Sequence, residues 1–204
     1  MRKNLTWPLL AIAVVAPLTG ATWQIDSSHS SAQFAVRHMM VSNVRGEFSG
    51  VRGTVDYDPA NPSQSKIDVT IDATTVNTRE AKRDAHLKNA DFLDVEKHPT
   101  MTFRSKRVET AGPGKLKVTG DLMLRGTTRE VVLDVEGPST PVTMRGTQRT
   151  GASATTKINR SDYGLTWNRA VEAGGVVVGD EVTITIDVEL TAAAPGAATT
   201  ANAN

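Results

Sequence analysis

Within the stretch "DSSHSSAQFAVRHM" (26–39) the chain places Asp26, His29, His38 and four serines. These are the ingredients of a Ser-His-Asp hydrolase or of a histidine metal site. A triad, however, draws its members from separated parts of a chain, and in extended backbone successive side chains point to opposite faces, so a triad built within one such stretch has poor geometry. No G-x-S-x-G elbow is present to expose a nucleophilic serine. The histidines number four, His29, His38, His86 and His98. Their spacing fits neither H-x-H, H-E-x-x-H nor a zinc-finger pattern. A metal site would have to assemble across elements, from His38 with His86 or His98 and an acid. The plainer reading makes His38 a hydrogen-bonded residue continuing the face of Phe34 and Val36, with His86 packed on a helix.

The elements that must position these residues are mostly strands. In "KIDVTID" (66–72) Ile67, Val69 and Ile71 alternate with Asp68, Thr70 and Asp72, and "EVTITIDVEL" (181–190) repeats the rhythm. Period-two alternation marks strands with one wet and one dry face. It recurs at Phe34/Val36/His38, Val44/Phe48, Val51/Val55/Tyr57, Met101/Phe103, Leu116/Val118 through Leu122/Leu124, Val131/Leu133/Val135 and around Ile158. Gly, Pro, Asn and Ser clusters such as "DPANPSQ" (58–64) and "AGPG" (111–114) separate the runs. One segment breaks the pattern: 77–99 predicts a helix with Asn77 as N-cap, Glu80 as its capping-box partner, Asp84 and Lys88 at i,i+4, and Pro99 as a stop. About eight strands joined by short turns predict an all-β fold, an antiparallel barrel closed on itself, with one helix inserted between strands three and four.

Charge and composition narrow the setting. Arg2 and Lys3 precede an apolar run from Leu9 to Leu18, and Thr19 and Ala21 suit a small-residue cleavage site, so residues 1–21 read as a signal peptide. Residues 22–191 then form one domain, and the small-residue tail 192–204 is expected to be disordered. With no cysteine the exported domain has no disulfide to lean on. The 23 basic residues less Arg2 and Lys3 leave 21 against 22 acidic ones, which gives no electrostatic grip on nucleic acid. Aromatic content of 4% cannot build the interfacial girdles of an outer-membrane barrel.

The order of the motifs is more specific. W-x-x-D-x-x-H-S at 23–30, R-D-x-H-L-K-x-x-D-F at 83–92 before "PTMTF" (99–103), L-x-x-R-G-x-T at 122–128, and "RSDYG" (160–164) followed by "VGDEV" (178–182) resemble the YceI family of bacterial periplasmic proteins over nearly the whole domain. Leu93 and Val51 stand where that family more often has aromatic residues. The resemblance implies a lipocalin-like eight-stranded barrel in the periplasm that carries a long-chain apolar ligand such as a polyisoprenoid, an isoprenoid quinone or a fatty-acid amide. It implies no catalytic residues and no cofactor beyond the bound lipid or quinone, and it links the chain to stress or respiratory chemistry.

The expected ligand-binding residues are Phe34, Val36, Phe48, Val69, Ile71, Phe103, Leu122, Leu124, Val131, Leu133 and Ile184 along the wall, with Trp167 in a closing loop and His38 or Arg169 at a polar head group. A one-residue slip in register would turn each row to the wrong face. Three classes stay open on the residues alone: a lipid carrier in transient contact with membranes, a secreted metalloprotein or small hydrolase using the histidines, and a packed module without a cavity. Monomer and homodimer are both compatible with the sequence.

Overall fold

The computed structural model describes residues 21–171 and 174–193. The expected signal peptide, apart from Ala21, and the tail beyond Ala193 lie outside the described residues. The strands are β1 (Ala21–Ile25), β2 (Ser31–His38), β3 (Ser42–Phe48), β4 (Val51–Tyr57), β5 (Lys66–Asp72), β6 (Thr100–Gly112), β7 (Lys115–Leu124), β8 (Thr127–Glu136), β9 (Val142–Met144), β10 (Thr147–Asn159) and β11 (Val178–Ala193), with helix α1 at Ala81–Lys88. β11 thus runs two residues past the expected domain boundary.

Ten of the eleven segments make a ring of eight strands. β11 pairs antiparallel with β2 over Val178–Asp187 and with β1 at Leu190 and Thr191, so β1 and β2 are one barrel strand interrupted at 26–30. β4 pairs with β1 and β3 with β2, so these too form one strand, interrupted at Ser49 and Gly50. β5, β6, β7, β8 and β10 follow in order, and the β10–β11 ladder closes the circle. β9 pairs only with the start of β10 and stands outside the ring. On this count α1 falls between strands three and four, as the sequence predicts.

The alternation sends the apolar rows inward. Val51, Ile71, Met101, Phe103, Leu116, Val118, Leu124, Leu133 and Leu190 are buried, while the other face carries cross-strand ion pairs such as Lys106–Asp121 at 2.6 Å, Lys117–Asp134 at 2.7 Å and Lys157–Glu181 at 2.8 Å. Exposed pairs of this kind add little stability, but they make the outer surface wet. A membrane barrel has the reverse polarity. The register shifts twice within β6, at Ser105/Arg107 and at Thr110/Gly112, and the first shift changes the inward row. Ser105 pairs with Gly120 and Arg107 with Thr119, leaving Lys106 as an extra residue. That bulge moves the inward row from Met101 and Phe103 to Val108.

The helix begins later than the sequence suggests. The main chain of Asn77 bridges Glu47, its Oδ1 accepts from the Arg79 amide at 2.8 Å, and Arg79 adopts φ 65, outside the helical range. Glu80 is therefore the cap, accepting from the Lys82 amide at 3.1 Å. Asp84, expected to pair with Lys88, instead accepts from the amide and hydroxyl of Thr78 at 2.8 and 2.5 Å. The helix stops at Lys88, well before Pro99; the following segment folds back, with the Leu93 amide donating to Leu87 O at 3.0 Å.

Two buried polar side chains behave oppositely. Arg160, only 4% exposed, donates from Nε to Gly179 O at 2.9 Å and from Nη1 to Leu165 O and Trp167 O, and pairs with Asp180 at 3.1 Å. It bolts the loop after Tyr163 to the start of β11. The hydroxyl of Tyr163, a residue 2% exposed, has no hydrogen-bond partner among the described residues. Burial pushes the Tyr163 phenol from 10.0 up to about 12.

Arg160→Ala should lower the unfolding free energy by about 1–3 kcal/mol, since it leaves the carbonyls of Leu165, Trp167 and Gly179 without their donor, as measured by urea denaturation. Because the raised phenol pKa favours the neutral folded form, its stabilisation is complete below pH 10 and is lost as pH rises toward about 12. Tyr163→Phe should remove that part of the alkaline loss of stability. At neutral pH it should be neutral or stabilising, because an unmade buried hydrogen bond disappears.

Candidate ligand cavity

The ring encloses a cavity of about 410 Å³ lined overwhelmingly by apolar side chains. That volume lies within the range of roughly 300–1,000 Å³ typical of small-molecule sites. Its existence has a local cause in side-chain size. β10 turns Ala152, Ala154 and Thr156 toward the axis where its neighbours turn leucine, isoleucine and valine. β3 and β7 contribute Gly46 and Gly120, and a Cβ at either would lie 2.5–2.6 Å from the Phe34 or Phe103 ring. The two rings therefore take up the space that a side chain at either glycine would need.

Thirteen of the fourteen residues expected from the sequence are brought together on this wall: Phe34, Val36, His38, Phe48, Val69, Ile71, Phe103, Leu122, Leu124, Val131, Leu133, Trp167 and Ile184. Arg169 is not on it. Its guanidinium is solvent-exposed and lies 5.7 Å from the centre of the Trp167 ring, so it covers the outer side of the closing loop. Leu93 and Val51 are buried wall residues. The sequence reading missed Tyr57, Arg83, His86 and Arg160 on the wall. Arg160 and His86 stand in the motifs at 160–164 and 83–92, and that was the available signal; Tyr57 ends an apolar row that was read only as core.

The wall is polar mainly at one end, where α1, the segment 89–99 and the segments 164–171 and 174–177 cover the barrel. Arg37, His38, Arg83, His86 and Arg160 gather there. His86 Nε2 lies 2.9 Å from Asp91 Oδ2, and its ring meets Phe92 and Trp167 edge-on at 5.0 and 4.9 Å between centroids. Arg83 donates to Thr78 Oγ1 at 2.8 Å and Thr78 O at 2.9 Å. Arg125, in the β7–β8 turn, donates to Ala90 O at 2.7 Å and also to Gly164 O, which joins both covering segments to the barrel rim.

The opening cluster at 26–30 is a turn. Asp26 Oδ1 accepts from the Ser28 amide at 3.0 Å and the Ser28 hydroxyl at 2.6 Å, and the Glu189 amide donates to Ser30 Oγ at 3.0 Å. These bonds replace the ladder where the strand breaks. Ser28 and then His29 hold the Asp26 carboxyl well below the ordinary carboxylate range. Ser28, His29 and Asp26 are in contact, but one ring nitrogen, Nδ1, faces both Ser28 Oγ and Asp26 Oδ2, each at 3.1 Å. A triad needs the serine on one imidazole nitrogen and the acid on the other, so this cluster cannot relay a proton.

Among the described residues, Asp26, His29 and Glu189 are also the only trio whose donor atoms converge closely enough to share a metal ion. Arg149 already sits between the two carboxylates, 3.1 Å from Asp26 and in contact with Glu189, so their charge is met by a guanidinium. His38, His86 and His98 do not join with an acid in such a group; His98 packs under Gly126 instead.

Known proteins place this geometry. The chain is 36% identical to a UPF0312 protein of Vibrio cholerae serotype O1 over 169 residues, covering 81% of this chain and 89% of that protein. It is 39% identical to a UPF0312 protein of Staphylococcus aureus over 158 residues, covering 77% and 90%. Among solved structures it is similar to BcnA of Burkholderia cenocepacia, with a TM-score of 0.68, 25% identity and coverage of 82% and 99%. It is also similar to a YCEI protein of Campylobacter jejuni, with a TM-score of 0.64, 34% identity and coverage of 76% and 88%. A polyisoprenoid binding domain from Saccharophagus degradans shares the fold at a TM-score of 0.60 and 16% identity, covering 86% of this chain and 99% of that one. The YceI-like domain model matches residues 23–190, from the first tryptophan of β1 to the last buried leucine of β11, and the chain belongs to that family.

Proposed function

We propose that the protein is a periplasmic carrier for one long-chain apolar ligand, a polyisoprenoid, an isoprenoid quinone or a fatty-acid amide, held along the barrel axis. The observation that carries this reading is the hollow, apolar interior of about 410 Å³. A barrel whose side chains filled its axis would have no use for a ligand. Energetics select the ligand class. Burying a methylene gains about 0.8 kcal/mol, and association costs several kcal/mol before any net affinity appears, so roughly a dozen carbons must be enclosed. Only a chain threaded along the axis meets that requirement in a tube this narrow.

The polar residues at the helix-capped end suit a head group, with His38 and His86 nearest in chemistry to a carbonyl, amide or quinone oxygen. The polyisoprenoid binding domain with the same fold supports the ligand class. The leader-like residues 1–21 support export.

Organic extraction of the purified protein followed by mass spectrometry should release a long-chain lipid at near one equivalent. Recovery of stoichiometric zinc or copper without lipid, or of nothing, would overturn the carrier reading. Val69→Phe adds a ring to the wall and should shift the extracted population toward shorter chains, with stability changed by no more than about 1–3 kcal/mol. An unchanged chain-length distribution in a folded Val69→Phe variant would remove Val69 from the ligand's path.

A further inference from the structure

We infer that the β2–β3 hairpin tip is a docking surface for an anionic phospholipid bilayer, presenting the helix-capped end of the barrel to the membrane. The inference rests on the carrier reading and adds where the ligand is exchanged.

The tip is Met39-Met40-Val41, exposed by 44, 54 and 76%, and the neighbouring Val176 is 36% exposed. Solvent exposure of four adjacent large apolar side chains marks a contact surface more often than a scatter of single residues does. The turn is also built from the wrong residues for its shape. His38 O accepts from the Val41 amide at 3.0 Å, and Met39 and Met40 between them take φ values of 49 and 62. Two successive left-handed residues are the place for Asn-Gly, and unbranched side chains with a Cβ are strained there. The two-residue turns at Arg125-Gly126 and Arg145-Gly146, which also take two successive left-handed residues, put glycine second. At 39–40 both the strain and the exposure are tolerated, which points to a use for the methionine side chains themselves.

The tip is held rigidly outward. Met39 N donates to Val177 O at 2.8 Å, Arg37 Nη2 donates to Met40 O at 3.0 Å, and Asn168 bonds both the amide and the carbonyl of Val178. His38, the residue before the tip, and Val177, which receives the Met39 amide, both line the cavity. The apolar surface is thus continuous with the polar end of the ligand site.

Charge selects the partner. From Ser27 to Gly46 the sequence holds Arg37 and Arg45 and no carboxylate. Arg37 and Arg45 are both exposed, two residues apart in register across the hairpin. The nearest acids on β11, Asp180 and Glu181, are paired with Arg160 and Lys157. Apolar side chains reaching into the headgroup region beside cations are the arrangement that binds anionic bilayer surfaces.

The test is flotation of the purified protein with vesicles of phosphatidylcholine alone or with a phosphatidylglycerol fraction, at low and high salt. The protein should float with the phosphatidylglycerol vesicles and be released by salt. Met39→Asn combined with Met40→Gly should reduce the bound fraction by about tenfold without lowering the melting temperature, because the replacement suits the turn better. Arg45→Gln should reduce binding to anionic vesicles by about fivefold and leave binding to phosphatidylcholine unchanged. Val142→Ser with Met144→Ser, which removes the exposed apolar residues of β9, should float like the parent.

The docking surface is overturned if the parent ignores vesicles, if the Met39/Met40 variant floats like the parent, or if only the β9 variant loses binding. It is also overturned if the Met39/Met40 variant changes only the oligomeric state in light scattering, which would make the tip a contact between two copies. Lipid extracted from a protein that ignores vesicles would overturn the docking surface alone; absence of both lipid and vesicle binding would overturn the carrier reading as well.

Discussion

The β10–β11 ladder, unbroken from Thr147↔Ala193 to Asn159↔Glu181, is the interaction on which the rest of the molecule depends. It turns an open sheet into a ring, and a ring leaves no long edge to pair with a neighbour. Closure also fixes the meaning of every inward row. On an open sheet the apolar face would need a second layer to cover it. In a ring of eight the same face covers itself, and whether the axis is filled depends on side-chain volume alone. The alanines and threonine of β10 and the glycines of β3 and β7 leave it unfilled. Fold and cavity are therefore set by different residues: the branched and aromatic rows make the barrel, and the small ones make it hollow.

Much of this is legible in the sequence, because a period of two is a strong signal when one face is dry. The strands around Ile67, Leu122, Val131 and Ile184 lie where alternation put them. What escaped the reading was local and has physical causes. The bulge at Lys106 reverses the parity of β6 with no change in composition to mark it. The helix start moved because Asn77 was claimed by a bridge to Glu47, a long-range contact that a capping motif cannot reveal. β9 is three residues long, too short for a pattern. β10 was visible only near Ile158, since alanine and threonine facing inward resemble loop residues.

The candidate site divides in the same way. Apolar wall positions follow from strand parity and were found together. Polar positions do not: Arg83 and Arg160 face inward because backbone carbonyls receive them, and a sequence shows an arginine without showing its acceptors. Arg169 lies off the cavity wall, in a loop where strand parity gives no guide. Its neighbour Trp167 lines the cavity, and the exposed arginine stacks over the Trp167 ring. The opening cluster of acid, serines and histidine shows how composition can suggest catalysis where geometry supplies a turn.

The position of β1 has a bearing on how the chain is made. This first strand lies between β4 and the very end of β11. The ring therefore cannot close until the last strand has left the ribosome, and pairings this remote in sequence form slowly. Until then β1 and β4 can pair with each other, but β1 has no partner on its other side, and the two ends of the domain are tied together only in the last step of folding.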